Sequence, residues 1–199
     1  MMSLDASGTL GGTFTFSKWK GRNTVRSHVI PSNPRSAAQT STRAMMRFLS
    51  QSWTNLTTAQ KATFDALAAT YAISPFNAYV KYNMNRWTQF TGPVIEIGST
   101  AGTVPTLGTL TVTAGVGELT VSQAVTTAAD MWGVLFAASL TTSFTPVKTD
   151  LRLGVYGVAS PVAGVITNLA AGTWYIRTAG IAEDGSLSAW LAEVSGVVS

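Results

Sequence analysis

At Gly92-Pro93 the hydrophobic period of this sequence turns from the helical spacing that begins at Ser36 to strand alternation, and that change limits what the chain can fold into. Before it, apolar side chains recur at helical spacing. Ala44, Met45, Phe48 and Leu49 share one face, as do Phe64, Leu67, Ala68 and Tyr71, and then Phe76, Tyr79, Val80, Asn83, Trp87 and Phe90. Beyond Pro105 the period becomes two. Alternating stretches at Thr109–Thr113, Glu118–Ser122, Trp132–Phe136, Leu151–Val158, Val162–Thr167, Thr173–Ile181 and Trp190–Val198 predict seven short strands. Strands of that length with turns between them point to a β-sandwich.

Local signals bound the helices. A helix is expected from Ser36, after Pro31-Ser32-Asn33-Pro34 has ended the preceding strand. Thr57-Thr58-Ala59-Gln60 has the capping-box pattern, in which the Thr57 hydroxyl and the Gln60 amide reciprocally satisfy free backbone amides. Ser74-Pro75 supplies an N-cap and a proline at the first helical position. Upstream, Thr13–Trp19 alternates, with Phe14 and Phe16 on one face; Lys20-Gly21-Arg22-Asn23 is turn material, and Thr24–Ile30 is a returning strand. The expected organisation is α+β and multidomain. Residues 1–12 form a flexible arm, 13–92 a hairpin with three short helices, 93–104 a linker with one short strand at Val94–Ile97, and 105–199 the sandwich.

Charge divides in the same place. Residues 1–93 carry ten basic and two acidic side chains; residues 94–199 carry three and seven. The cations that stand out as partner-binding candidates are Lys18, Lys20, Arg22, Arg26, Arg35, Arg43 and Arg47. Only 11% of residues are charged, against about a quarter in an ordinary globular protein. A surface so poor in charge is weakly protected against association and suits a chain that works in many copies or as a homo-oligomer.

The same inventory argues against several function classes. Without cysteine there are no disulfides and no thiolate metal sites. His28 is the only histidine, which rules out metal sites built on paired histidines, and it reads as structural rather than as a general base. No nucleophile elbow, phosphate-binding loop or paired-carboxylate cleft is visible. Glu183-Asp184, followed by Gly185, reads as a hairpin turn. No secretion signal is visible at Met1–Asp5, and the longest apolar run, Met131–Leu140, is half the length of a membrane helix. The expectation is a non-enzymatic chain, made in a cytoplasm, with no cofactor, membrane span or small-molecule substrate.

Two stretches carry resemblances. Leu169-Ala170-Ala171-Gly172-Thr173-Trp174-Tyr175 resembles the Leu-x-Pro-Gly-Thr-x-Tyr stretch of fibronectin type III domains, with Ala171 in place of proline. Asp184-Gly185, followed by Ser188-Ala189-Trp190, is similar to that family's last hairpin and the opening of its last strand. The resemblance covers about residues 104–199. It implies a fibronectin III-like (Ig-like) sandwich in which Leu169, Gly172, Tyr175 and Trp190 define the fold and Tyr175 makes the corner hydrogen bond. The family's tryptophan on the second strand is absent, Leu119 and Val121 standing there, and Trp132 is expected on the third.

Residues 12–87 resemble a module of small phage and prophage proteins. The matching residues are Asn33-Pro34-Arg35-Ser36, Gln39, Arg43, Trp53, Leu56–Lys61 and Phe76-Asn77-Ala78-Tyr79, and Trp53 and Trp87 are expected to define the fold of this part. What this implies is a structural protein of a virion whose partners are capsid, portal or tail proteins. The basic module would anchor it and the sandwich would project as a decoration or adhesion domain. The alternative use of the same cations is phosphate contact with DNA, with Trp19, Trp53 and Trp87 interspersed for stacking. Pro75–Tyr82 is also similar to the opening of an HMG box, but it ends a helical region here instead of beginning one.

Overall fold

The structure, a computed structural model, describes residues 7–30, 33–100, 102–127, 129–157 and 159–199. They fall into two units, Met1–Arg35 and Ser36–Ser199. Helices and strands are both present and the sheets are antiparallel, so the class is mixed α+β.

The first unit is a three-stranded sheet, β1 (Gly8–Leu10), β2 (Phe14–Trp19) and β3 (Arg22–Ser27), in that order. Lys20 and Gly21 alone make the β2–β3 turn, both with positive φ (48° and 78°), the two-residue geometry that matches strand twist. The turn is thus two residues shorter than the sequence suggests, and β3 ends at Ser27, where the His28 amide still bonds the Thr13 carbonyl. Gly8–Leu10, expected in a flexible arm, is a strand because it pairs with Phe14–Phe16. Residues 1–6 of that arm lie outside the described residues.

The second unit begins at the Ser36 N-cap of helix α1 (Ala37–Asn55), followed by α2 (Thr58–Ala62), α3 (Asp65–Tyr71) and α4 (Pro75–Thr88). The Thr57–Gln60 capping box forms in both directions, and Ser74 caps α4 at the Asn77 amide. The helix expected from Thr57 is two. At Thr63 and Phe64 the amides bond carbonyls three residues back, and the Thr63 hydroxyl takes the Gln60 carbonyl as well, tightening the chain out of α geometry.

Seven strands follow: β4 (Thr106–Ala114), β5 (Glu118–Thr127), β6 (Met131–Ser139), β7 (Leu151–Tyr156), β8 (Val162–Thr167), β9 (Gly172–Ala182) and β10 (Val194–Val198). They make two sheets, ordered β4-β5-β8 and β10-β9-β6-β7. Leu119, Val121, Phe136, Ile166, Trp174 and Ile176 fill the space between them. Among these apolar side chains Gln123 is fully buried, taking the Thr178 hydroxyl of the opposite sheet at 2.7 Å.

The helices expected to belong with the hairpin pack instead on the outer face of the four-stranded sheet. Phe48 enters a notch over Gly133 and Gly154 and meets Trp132 edge-on, ring centroids 5.0 Å apart. Around it Met45, Leu49, Leu135, Leu151 and Ile181 form one core. Strand β6 is therefore buried on both faces from Met131 to Ala138, which explains its uninterrupted apolar run. Trp132 is on the expected strand but faces the helices, past a register shift between Met131 and Gly133.

No strand forms at Val94–Ile97, and residues 92–95 are buried. The Asn83 side-chain amide bonds the Val94 backbone in both directions, at 2.7 and 3.1 Å. Arg86 Nε donates to the Gly92 carbonyl, and the Ile95 amide to that of Glu183. What reads as a linker is a strap held between α4 and the β9 end.

The fold-defining residues take partly different roles. Trp53 is half-buried against Phe76 and Tyr79, and Trp87 is buried beside Phe90. Leu169 is in the inter-sheet core and Gly172 opens β9 at φ 143°. Trp174, rather than Tyr175, points inward, and its Nε1 donates to the Ala170 carbonyl at 2.9 Å. The corner bond is expected from Tyr175; here the neighbouring indole bonds the backbone four residues upstream, because the strand's inward parity falls on Trp174 and Ile176. Trp190 precedes β10 and stacks on Phe90, with ring planes 4° apart.

Candidate functional site

The boundary at Arg35 divides the charge unevenly. Residues 36–199 carry eight basic and eight acidic side chains, whereas residues 1–35 carry five basic and one acidic, Asp5. The whole formal charge of +4 therefore rests on residues 1–35. Between residues 7 and 35 there is no carboxylate at all. A patch of one sign and no internal compensation attracts anionic partners over a Debye length.

Strand pleat and register sort this sheet into two faces. Leu10 pairs with Phe14, and Phe16 with Val25, so Leu10, Phe14, Phe16 and Val25 share one side. Leu10 is 64% exposed, Phe14 47% and Val25 56%. The other face carries Thr9, Thr15 and Arg26 in one row, Ser17 and Thr24 in the next, and Trp19 and Arg22 in the last. The Ser17 and Thr24 hydroxyls bond each other at 2.8 Å. Lys20 sits over the Trp19 ring, 4.8 Å from its centroid. No residue between 7 and 30 is buried. A three-stranded sheet of this size has no core of its own; its apolar face supplies stability only when something covers it.

Of the seven cations singled out in the sequence, the fold brings together Lys18, Lys20, Arg22 and Arg26 on β2, its turn and β3. Arg35 follows with a left-handed backbone (φ 48°) just before the α1 cap. Arg43 and Arg47 are in the other unit, one turn apart on the exposed side of α1. Two groupings were missed: the apolar quartet, and the cluster of Arg26 with His28, Thr9 and Thr15. Both follow from strand parity, which is readable once the turn is placed at Lys20-Gly21.

Elsewhere the electrostatics serve the fold. Burial, then the charges of Asp130 and Glu96, hold the Glu183 carboxyl above the usual carboxylate range. Burial also pushes Asp184 up, but the Ser186 amide and hydroxyl, with further backbone amides, outweigh it and hold the carboxyl below. The two groups act on stability with opposite sign. The raised Glu183 contributes below its ordinary pKa and loses that contribution as pH rises through the folded value. The depressed Asp184 contributes above its ordinary pKa and loses it as pH falls. Glu183→Gln is therefore expected to raise the melting temperature at neutral pH and to make no difference in acid. Asp184→Asn should lower it at neutral pH and be harmless in acid; thermal melts of both at the two pH values decide it. Burial likewise drives the Tyr79 phenol far above its ordinary range, with the Ser52 hydrogen bond acting weakly against it.

Among the described residues no group of three or more His, Asp or Glu is placed to hold a metal, and no helix is long and apolar enough to cross a membrane. No protein-family model and no curated protein matches the chain.

Proposed function

We propose that this chain is a non-enzymatic structural protein of a bacteriophage particle, anchored through its N-terminal sheet to an acidic surface of a capsid, portal or tail protein. The observation that carries the anchoring is the composition of that sheet. One face is apolar and uncovered within its unit, and its rim is cationic with no carboxylate from residue 7 to 35. An apolar centre with a charged rim is the anatomy of a protein–protein interface. Lys18, Lys20, Arg22, Arg26 and Arg35 steer the encounter, and Leu10, Phe14, Phe16 and Val25 fill the contact. The virion setting rests on the resemblance of residues 12–87.

The seven-stranded part reads as a fibronectin III-like domain, projecting as a decoration or adhesion module. The strand orders β4-β5-β8 and β10-β9-β6-β7 and the Asp184-Gly185 hairpin tip support this arrangement.

Mass spectrometry of purified particles from a phage or induced prophage encoding the chain tests the reading. Stoichiometric abundance relative to the major capsid protein is expected, in many copies. A Phe14→Ser, Val25→Ser variant, still folded by thermal melt, should be lost from the particles. Absence of the native chain from particles, with abundance in infected cells, would overturn the proposal and leave nucleic-acid association as the reading to pursue.

A further inference from the structure

We infer that the polar face of the N-terminal sheet holds a binding site for a phosphate group, centred on Arg26. This goes beyond the anchoring reading: the contact there is the apolar face, and only the long-range charge of Arg22 and Arg26 is shared, so loss of the apolar face and loss of Arg26 tell the two apart. The site is a depression of about 330 Å³ lined by Thr9, Thr15, Arg26, His28 and Val29. Its make-up follows from register. Thr9 pairs with Thr15 and Thr15 with Arg26, so two hydroxyls and a guanidinium stand in one row across three strands. His28, two residues beyond Arg26, returns to the same side, and its Nδ1 is 3.2 Å from the Thr15 hydroxyl. With that hydroxyl donating to Nδ1, the ring proton sits on Nε2, which then donates as well.

These groups suit a tetrahedral oxyanion. Arg26 offers planar, paired N–H donors of the kind that match phosphate oxygens. Among the described residues no acceptor engages its guanidinium and no carboxylate competes for it. The Thr9 hydroxyl and the imidazole Nε2 supply further donors around the remaining oxygens, while the Thr15 hydroxyl orients the ring. Val29 gives the depression an apolar wall, and the volume is at the low end of small-ligand sites, room for a phosphate with part of what it esterifies. Along the same face, beyond the Ser17–Thr24 hydroxyl pair, which is bonded within the sheet, Arg22 places a second guanidinium beside Trp19, an aromatic ring that is 67% exposed. A cationic track ending in an exposed indole is how single strands are held, through backbone phosphates and a stacked base. The ligand chemistry is a phosphate ester. Its sources are a nucleic-acid backbone, which this track favours, or a free nucleotide.

The test titrates the full chain with inorganic phosphate, a nucleoside monophosphate and a short oligothymidylate, following backbone amide shifts of residues 7–30 by NMR. Saturable shifts centred on Thr15, Arg26 and His28 are expected. Arg26→Gln should weaken binding about tenfold or more, the loss of a charge-assisted pair. Arg26→Lys should recover part of it, and Thr9→Val should cost less than Arg26→Gln. Cross-strand contacts in each variant's NMR spectrum establish that the sheet is intact. Tighter binding of the oligonucleotide, with a salt slope that drops by about 0.7 in Arg26→Gln, assigns the site to a nucleic-acid backbone; equal binding of the monophosphate assigns it to a free nucleotide. Shifts that glutamate produces equally well would overturn the proposal, as would binding unchanged in Arg26→Gln but lost in Lys18→Gln or Lys20→Gln.

Discussion

Gly154→Val is expected to destabilise the whole of Ser36–Ser199 by about 3 kcal/mol or more, a drop in melting temperature of roughly 10 °C, in one cooperative transition. A Cβ at Gly154 would lie 2.9 Å from Phe48 Cβ and 3.1 Å from its Cγ. Phe48 cannot rotate out of the way, because its own Cβ is fixed to the α1 backbone. Relief requires α1 to lift from the sheet, which opens the core around Met45, Leu135 and Leu151. Phe48→Ala attacks the same contact from the other side and should cost about 3–5 kcal/mol by leaving a cavity over the two glycines. Denaturant unfolding of both variants, followed by far-ultraviolet circular dichroism and by tryptophan fluorescence, measures this. Were the helices an independent domain, the two probes would separate and the sandwich would melt at its native temperature; coincident transitions are expected.

Asn83→Leu should cost about 2–5 kcal/mol despite being more apolar and similar in size. Its side chain is fully buried and makes two hydrogen bonds to Val94, one as donor and one as acceptor. Leucine leaves the Val94 amide and carbonyl buried with neither partner, and each orphaned group costs about 1–3 kcal/mol. Asn83→Asp keeps the acceptor for the Val94 amide but sets a carboxylate against its carbonyl, so it should rescue nothing at neutral pH. Chemical denaturation of the two variants, with hydrogen exchange at residues 94–97, checks this. Native-like protection of Ile95 and Ile97 in Asn83→Leu would show that the strap is held by something else.

The strands and helix caps were legible because each is a local pattern. Thr57 and Gln60 are three residues apart, the alternation in β4 to β10 needs only a window of five, and Ser74-Pro75 carries its own instruction. What failed was long-range. Asn83 falls on the apolar stripe of α4, and nothing near it in sequence says that its partner is the Val94 backbone. Gly133 and Gly154 read as ordinary strand glycines until Phe48 is seen lying on both. The split of charge at residue 93 placed the boundary by averaging: Arg43, Arg47, Lys61, Lys81 and Arg86 belong to a unit whose acids, Asp65 apart, all lie beyond that split, from Glu96 to Glu193. At the candidate site, the cations of the hairpin were visible but not their faces. Reading Lys20–Asn23 as a four-residue turn hid the pairing of Trp19 with Arg22. Parity also decided the corner bond, where a match of seven residues named Tyr175 and the strand turned Trp174 inward.

The packing of α1 on the four-stranded sheet has a consequence for how such a chain can be inherited. A sandwich cut free at residue 105 would leave Trp132, Leu135, Leu151 and Ile181 bare on one sheet, along with the seat of the buried strap. It would be sticky and short of stability, so it could not be passed between genes as a self-sufficient cassette in the way its strand order suggests. The seam that tolerates exchange is Arg35-Ser36, where a segment with five cations gives way along the chain to a charge-balanced body at a helix cap. Relatives of this chain should therefore keep residues 36–199 together as one block while the sheet ahead of it is swapped for others.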